Sequence, residues 1–420
     1  MRALVLVLIA GIFFASLTWA DNSNTNRQIL PIGESEAFLG NAGVGRAHDT
    51  GSVFYNPAGL MELDSGRVSM TGSLYLNFST QSDAIVRFDN TDVGYQASGF
   101  NTIPAFYVAT MRFSDLWSGA FSVLVPNYIE VENRVSFTTP NTRGNIVQNL
   151  RSNDLWLGVS LAHQIDSSWN IGVSLYGIQH QEAQTIALDA NFPAMANNTV
   201  TTSLSQEKLS VLGLSAILGI SYFVTDRFEL GLRAQSPLIQ MSGTADTFQS
   251  VHQVANGAVT SKGEDLRGTP AAYRLPVDFT LGTAWTPSDW AALLLDVSLQ
   301  LGASYSSIPG SALSDSVNLK PTPRFNLGVE LRPTPHLPIR AGFYYNPSAN
   351  GMDPTQDGYL SENFYGVTAG VGINSSKVET GVGAFYLWSS GKAVPVNGNG
   401  SSSLLRSHAS GVLLTVSYLL

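Results

Sequence analysis

Cysteine is absent from the 420 residues of this sequence, and charged residues are scarce. The lack of cysteine excludes disulfides, thiolate metal sites, cysteine nucleophiles and a lipid anchor on a cysteine. Charged residues make up 13% of the chain, against roughly 25% in a typical soluble domain, so its surface would dissolve poorly. The net charge of -9 argues against a nucleic-acid partner, which would need a basic face.

Long hydrophobic runs are missing everywhere except at the N-terminus. Residues 3–17 are apolar after a basic Arg2, and residues 18–20 form a small-residue cleavage site. This arrangement is typical of a secretory signal peptide, which we predict over residues 1–20. No later stretch approaches the about 18 apolar residues of a membrane helix, so a helical membrane protein is excluded.

The sequence does contain segments in which apolar residues alternate with small or polar ones. Even positions from 212 to 222 are apolar, whereas most of the odd positions between them are glycine or serine. The same period of two runs through residues 325–332 and 412–420. Such alternation predicts β-strands with one apolar face. A soluble sandwich could also alternate, so the spacing of the turns has to distinguish the two folds.

Short and long connections between these segments alternate strictly. Short polar turns are predicted at residues 113–117, 164–169, 223–228, 285–290, 333–338 and 374–377. Longer segments rich in Asn, Ser, Thr, Gly and Asp lie between them, at residues 80–100, 132–153, 184–208, 244–272, 303–321, 347–362 and 390–408. Seven hairpins joined by six short turns make fourteen strands, an even number typical of bacterial outer-membrane barrels with short periplasmic turns and long external loops. We therefore predict an all-β fold, a 14-stranded antiparallel transmembrane β-barrel over residues 66–420 in the bacterial outer membrane.

Aromatic residues flank the short turns, where an interfacial girdle is expected. They are Phe113, Trp117, Trp169, Tyr222, Phe228, Trp285 and Trp290. Because every backbone donor in lipid needs a partner, the last strand, 408–420, is expected to pair with the first, 66–79. The chain ends in Leu420, where such strands usually end in an aromatic residue.

Residues 21–65 precede the first predicted strand and are rich in glycine. A phosphate-binding loop is disfavoured, because no lysine follows the glycines and no strand precedes them. Small residues allow close backbone packing, and a barrel of this size is too wide to be filled by its own side chains. We therefore predict that residues 21–65 form a compact plug, or hatch, inside the barrel.

Two motifs within this plug resemble a known family. Gly43-Val44-Gly45-Arg46-Ala47 with Asp49, and Asn56-Pro57-Ala58-Gly59-Leu60, are similar to the N-terminal hatch of the FadL/TodX family of outer-membrane long-chain fatty-acid and hydrocarbon transporters. The resemblance continues at residues 103–104, 117–128 and 274–276, and it covers nearly the whole chain after residue 20. It implies passive uptake of hydrophobic compounds, with long-chain fatty acids as the expected ligands. The residues that it assigns to the hatch and its gating are Gly43, Gly45, Arg46, Asp49, Asn56, Pro57 and Ala58.

The resemblance also implies that ligand leaves sideways, through a gap made by an inward kink of the third strand. In this sequence the alternation over residues 117–125 is interrupted by Pro126 and Asn127. A proline within a strand cannot donate to the ladder, which leaves a bulge or a gap. The alternative is that Pro126 merely ends the strand near its external loop. We predict a lateral opening at Pro126 and Asn127, mainly because the resemblance places it there.

Some inward positions of the predicted strands carry apolar side chains, whereas the lumen of a porin is polar. Parity assigns Phe106, Val108, Leu124, Tyr344, Phe385 and Leu387 to a ligand-binding interior. Arg233, Arg274 and Arg340 are also predicted to face inward, where any of them could pair with a carboxylate head group. Each could instead pair with a neighbouring strand or with the hatch. A single bulge would reverse these assignments.

The sequence shows no catalytic or metal-binding motif, since its six histidines are scattered without ligand spacing. We therefore predict no enzyme activity, no metal and no cofactor. The expected partners are a hydrophobic small molecule, outer-membrane lipid with lipopolysaccharide, and the outer-membrane assembly machinery. Two alternatives stay open. A general diffusion porin predicts large, steady ion conductance, and an adhesin or receptor predicts that trimming the external loops removes function while the hatch does not matter.

Overall fold

The computed structural model describes residues 25–26, 28–63, 66–88, 91–192, 199–255, 257–309, 316–396 and 400–420. The predicted signal peptide over residues 1–20 lies outside these residues. No helix in the described part of the chain is long and apolar enough to cross a membrane.

A closed ring of 14 antiparallel strands forms the wall of the molecule, which confirms the predicted barrel. In ring order its strands are β1, β2, β3, β4, β5, β6, β7, β10, β11, β14, β15, β16, β17 and β18, and β18 pairs with β1. The bounds are β1 Arg67–Phe88, β2 Thr91–Ser114, β3 Trp117–Thr138, β4 Arg143–Gln164, β5 Trp169–Phe192, β6 Thr199–Thr225, β7 Phe228–Gln235, β8 Ile239–Ala255, β9 Ala258–Pro270, β10 Asp278–Ser288, β11 Ala291–Gln300, β12 Ala303–Ser306, β13 Ser316–Leu319, β14 Thr322–Thr334, β15 Leu337–Asn346, β16 Leu360–Asn374, β17 Val378–Ala393 and β18 Ser403–Leu419. The hairpin β8–β9 extends the wall beside β6, and β12 pairs with β13 in a separate hairpin.

All six predicted short turns lie between consecutive ring strands. The prediction that the longer segments are loops is wrong for most of them. Residues 80–88 and 91–100, for example, belong to β1 and β2 and pair with each other. Serine, threonine and asparagine are typical of loops, yet their backbones pair across each hairpin as readily as those of apolar residues. The strands therefore continue as polar hairpins, whereas residues 347–359 form a long connection without a named strand.

Side chains alternate between the two faces of the wall as predicted. Leu212, Leu214 and Leu218 on β6 are exposed on the outer face, whereas Ser215 and Ile217 between them are buried inside. Aromatic rings at the short turns are also exposed, and Trp169 stacks on Tyr222 with ring centroids 4.2 Å apart. An outward apolar band with aromatics at its edge suits a wall surrounded by lipid.

The N-terminal segment, residues 28–63, lies inside the ring. It contains a 3₁₀ turn at Glu36–Phe38, the one-turn helix α1 at Ser52–Tyr55 and a 3₁₀ helix at Pro57–Glu62. Its apolar side chains share one buried cluster with inward-facing residues of the strands. Members of this cluster include Phe38, Phe54, Leu60, Phe106, Trp156, Tyr176 and Tyr344.

Glycines on inward positions of the strands allow this close approach. They form cross-strand pairs at one level of the barrel: Gly172 with Gly219, Gly231 with Gly282, Gly328 with Gly342, and Gly370 with Gly383. A Cβ on Gly231 would overlap the carbonyl oxygen of Val44, and one on Gly342 would overlap the backbone of Leu39 and Gly40. These glycines form a band around the inside of the wall, the glycine belt, and the N-terminal segment packs against its exposed backbone.

Candidate ligand path

The side chain of Asn56 makes hydrogen bonds within the N-terminal segment and to the wall. Its side-chain oxygen accepts a hydrogen bond from the Ala58 N–H at 3.3 Å, which caps the 3₁₀ helix that Pro57 begins. Its Nδ2 donates to the carbonyl oxygens of Val44 at 2.9 Å and Ile220, on β6, at 3.0 Å. The Asn-Pro-Ala stretch is thus a buried junction between helix, loop and strand.

The predicted glycines lie where the loop before α1 meets the wall. The N–H groups of Gly43 and Val44 donate to one carboxylate oxygen of Asp296, on β11, at 2.8 and 2.9 Å. A Cβ on Gly45 would overlap the backbone of Thr283, on β10. Gly45 is therefore needed for the backbone to touch the strands, whereas a Cβ on Gly43 would overlap Glu36 within the N-terminal segment itself.

Arg46 and Asp49 lie near the end of the barrel that carries the short turns. Arg46 is 3.6 Å from the carboxylate of Glu330, which also binds Arg340 and Arg332. Asp49 accepts hydrogen bonds from the N–H groups of Ser35 and Gly51 at 3.0 and 2.7 Å. Arg46 and Asp49 line a charged cavity of about 510 Å³ that is bounded in part by the short turns.

Buried carboxyl groups in the N-terminal segment lie beside this cavity. Glu34 accepts hydrogen bonds from the hydroxyls of Thr50 at 2.7 Å and Ser69, on β1, at 2.9 Å. Burial, together with the nearby charge of Asp49, raises the pKa of Glu34 to about 7. Burial, together with the nearby charge of Asp49, also raises the pKa of Glu36 well above its usual range. Burial in the docked segment therefore favours the protonated, uncharged form of both carboxyl groups.

We expect docking of the N-terminal segment to weaken as the pH rises from about 4.5 to about 7. In this window the docked form keeps a proton on Glu34 that the released form has lost, so raising the pH favours release. Limited proteolysis within residues 28–63 should be several-fold faster at about pH 8 than at about pH 5.5. The Glu34→Gln variant should lose this contribution and show a smaller difference. Equal rates at both pH values in the parent protein would contradict the expectation.

The third strand is irregular at Pro126. Leu124 pairs with Trp156 and Asn127 with Asp154, so two residues of β3, Val125 and Pro126, lie opposite one residue of β4. This is a β-bulge, which bends the strand.

On its other side, β3 separates from β2. The pairs Ser98 with Glu132 and Phe106 with Leu124 share one register, yet no pair lies between them in the described part of the two strands. In that register position 104, also a proline, lies opposite Pro126. Because neither proline has an N–H group, the ladder lacks donors from both strands at this point. The result is a gap in the wall between residues 99–105 and residues 125–131.

An apolar cavity of about 160 Å³ lies beside this gap. Its apolar lining comes from the N-terminal segment and from six strands of the wall: Ile29, Leu30, Leu76, Phe78, Ile129, Val131, Leu150, Leu360, Phe364, Leu387 and Ala409. A smaller cavity of about 20 Å³ shares Ile29, Leu30, Tyr128 and Ile129 with it and is also lined by Pro126, Asn127 and Arg274. The two cavities therefore adjoin each other across these shared side chains, and together we call them the ligand path, an apolar chamber next to a polar end at the bulge.

The six apolar residues assigned to the ligand by parity are all buried. Leu387 lines the apolar cavity, whereas Phe106, Val108, Leu124, Tyr344 and Phe385 pack in the core that the strands share with the N-terminal segment. Sequence reasoning missed Ile29 and Leu30, because residues 28–31 show no periodicity. It also missed Ile129 and Val131, because the bulge shifts the alternation by one residue.

The three predicted arginines differ in their partners. Arg233 is buried, pairs with Asp278 at 2.9 Å and donates to the carbonyl of Phe54 at 3.0 Å. Arg340 pairs with Glu330 at 2.7 Å. Both side chains are therefore already paired with residues of the wall or of the N-terminal segment.

Arg274 does not occupy the inward strand position that parity gave it. It is exposed in a strand-free stretch, 271–277, because Pro270 and Pro276 interrupt the ladder there. Arg274 lines the polar end of the path, and no ion pair or hydrogen bond of its side chain is found among the described residues. It is the cation of the three that remains available to a ligand.

The fold and this path define a class of protein, a transport barrel of the outer membrane. No group of three or more residues that could hold a metal ion occurs in the described part of the chain. The model of the family of outer membrane protein transport proteins (OMPP1/FadL/TodX) matches residues 12–418. The chain belongs to this family, whose members are transport channels for hydrophobic compounds rather than enzymes.

Solved structures of this family have the same fold. A Pseudomonas aeruginosa FadL homologue is 15% identical over 93% of this chain and 99% of that chain, with a TM-score of 0.65. The P. putida toluene transporter TodX is 14% identical over 93% of this chain and 98% of its own, with a TM-score of 0.60. The CymD monoaromatic hydrocarbon channel is 13% identical over 94% and 99%, also with a TM-score of 0.60. No curated protein matches the sequence.

Proposed function

We propose that this protein takes up long-chain fatty acids by passive diffusion across the outer membrane. The observation that carries the proposal is that the apolar cavity adjoins a smaller cavity at which Arg274 has no partner among the described residues. The alkyl chain would lie among Leu76, Phe78 and Leu387, and the carboxylate would approach Arg274. Each buried methylene contributes about 0.8 kcal/mol, so long chains bind better than short ones.

Release would occur sideways, through the gap between β2 and β3. The apolar cavity and the gap share Tyr128, Ile129 and Val131, so a ligand in the cavity already touches the edge of the opening. Pro126 and Asn127 form that edge at the bulge. An apolar molecule leaving here enters the lipid without crossing the charged cavity at the short-turn end.

The N-terminal segment would act as the hatch. It blocks the direct route through the lumen, because its side chains fill the space between the strands at the level of the glycine belt. A general porin would need that space open, which makes the porin alternative less compatible with this packing. Cleavage after residue 20, lipid with lipopolysaccharide around the apolar band, and insertion by the outer-membrane assembly machinery remain predictions.

A second candidate ligand is a small, uncharged aromatic hydrocarbon. Two carboxyl side chains, Glu130 and Glu362, line the apolar cavity, and no lysine or arginine among the described residues lines it. Its volume of about 160 Å³ is close to that of an engineered cavity of about 150 Å³ that binds benzene. The similar fold of a toluene transporter is compatible with this alternative.

We expect Arg274→Gln to separate the two ligand classes. Loss of a charge-assisted hydrogen bond should raise the concentration for half-maximal fatty-acid uptake about tenfold, equivalent to about 1.4 kcal/mol, and leave toluene uptake unchanged. Uptake would be measured with labelled ligands in cells that lack their own transporter. Arg227→Gln, which changes an exposed arginine at a short turn, is the matched control.

Two results would contradict a carboxylate site at Arg274. Unchanged fatty-acid uptake in the variant would remove the head-group assignment. Uptake of toluene without any uptake of fatty acid by the parent protein would favour the second candidate.

Loss of function on trimming the external loops, with no effect of changes in the hatch, would favour an adhesin or receptor.

A further inference from the structure

Asp154, on β4, is a buried carboxylate that joins several parts of the ligand path. One of its oxygens accepts hydrogen bonds from Asn127 Nδ2 at 2.7 Å and from the hydroxyl of Tyr273 at 3.3 Å. The other oxygen is 2.7 Å from Nδ1 of His180, on β5. His180 also stacks on Tyr273, with ring centroids 3.7 Å apart. One side chain thus binds the bulge of β3, the next strand and the stretch that carries Arg274.

This carboxylate fixes the orientation of the Asn127 side chain. An ionised carboxylate only accepts hydrogen bonds, so the amide of Asn127 has to present its NH₂ group to Asp154. Its oxygen then points the opposite way, and it accepts a hydrogen bond from the backbone N–H of Gln28 at 3.0 Å. The orientation of one amide therefore connects the wall at the bulge to the start of the N-terminal segment.

Gln28 is held in an unusual backbone conformation. Its φ is 51°, in the left-handed region that residues with a Cβ rarely adopt. Two contacts hold it there: the hydrogen bond to Asn127 and a hydrogen bond from its own Nε2 to the hydroxyl of Tyr55 at 2.8 Å. Losing the first contact would let residues 28–30 relax toward ordinary backbone angles.

We propose that Gln28, Asn127 and Asp154 form a latch, and that Asp154 is the positioning residue that keeps the latch closed. The latch holds Ile29 and Leu30 in the wall of both cavities, so its state sets the shape of the path beside the gap. The effect on transport rests on the proposed function, because it concerns the same path. The latch itself rests on hydrogen bonds that need no ligand.

The test is Asp154→Asn, which keeps the shape of the side chain and adds a competing donor. Because the chain has no cysteine, a single Leu30→Cys substitution carries the only spin label. The label should be immobilised in the parent background and mobile in Asp154→Asn. Asp189→Asn, which removes an exposed carboxylate from β5, is the control and should leave the label immobilised.

Uptake by the unlabelled variant provides a second readout. The concentration for half-maximal uptake should rise about fivefold, because Ile29 and Leu30 no longer complete the cavity, and the maximal rate should not fall. A variant that is merely misfolded would lose maximal rate instead. An immobile label in Asp154→Asn, or altered uptake without a more mobile label, would overturn the latch.

Two further outcomes also decide whether the latch exists. If Asp154→Asn does not give a folded barrel, Asn127→Ala removes the same contact with Gln28 and must mobilise the label for the latch to stand. If the parent protein takes up no ligand but Asp154→Asn mobilises the label, the proposed function fails and the latch holds.

Discussion

Deletion of residues 22–63 should leave a folded barrel that conducts ions. The ring closes through backbone pairs between β1 and β18 that run from Arg67 with Leu419 to Ser82 with Leu405, and none of these pairs involves the deleted residues. The lumen of a barrel this wide is not filled by its own side chains. We therefore expect conductance in planar bilayers to rise at least about tenfold over that of the parent protein.

Folding of the deletion variant is checked separately, by its shift in electrophoretic mobility on heating. An unfolded product would contradict a hatch that is independent of the barrel, and the glycine belt would then be part of the barrel's own core. A folded product with unchanged conductance would mean that the N-terminal segment does not block the lumen.

Replacing the two opposed prolines, Pro104→Val with Pro126→Val, should abolish most of the uptake. The ladder keeps one register on both sides of the gap, so restored N–H groups allow the strands to pair across it. Opening a closed ladder breaks several backbone hydrogen bonds of about 1 kcal/mol each. Uptake should therefore fall at least about tenfold, and hydrogen exchange at residues 99–105 should slow.

Pro354→Val, in the external connection before β16, is the control for loss of a proline and should keep full uptake. Slow exchange at residues 99–105 together with normal uptake would show that ligand does not pass through this gap. Each single proline variant should have an intermediate effect, because one of the two donors is still missing.

The wall of the barrel was predictable from sequence, because alternation and turn spacing are local patterns. Residues 212–222 alone fix which face of β6 meets lipid, and the six short turns follow from their polar residues. The extent of the hairpins was not predictable in the same way. Polar strands beyond the membrane have the composition of loops, and their pairing depends on partners elsewhere in the chain.

The ligand path was predictable only in part. Pro126 is visible in the sequence, but its alignment with Pro104 depends on the register of two strands. The sequence predicts Arg274 as an inward-facing cation of a strand. In the structure it lines the path because it lies in a strand-free stretch next to prolines, not because of its parity in a strand. No pattern in the sequence marks Asp154, because its contacts bring together side chains from four separate parts of the chain.

The most direct test of hydrophobic uptake is accumulation of a labelled long-chain fatty acid by cells that lack their own transporter. Cells that produce the parent protein should accumulate label well above the level of cells without it, and the double proline variant should not. The account is contradicted if the parent protein takes up neither fatty acid nor toluene and instead gives large, steady ion conductance in planar bilayers, as a porin would.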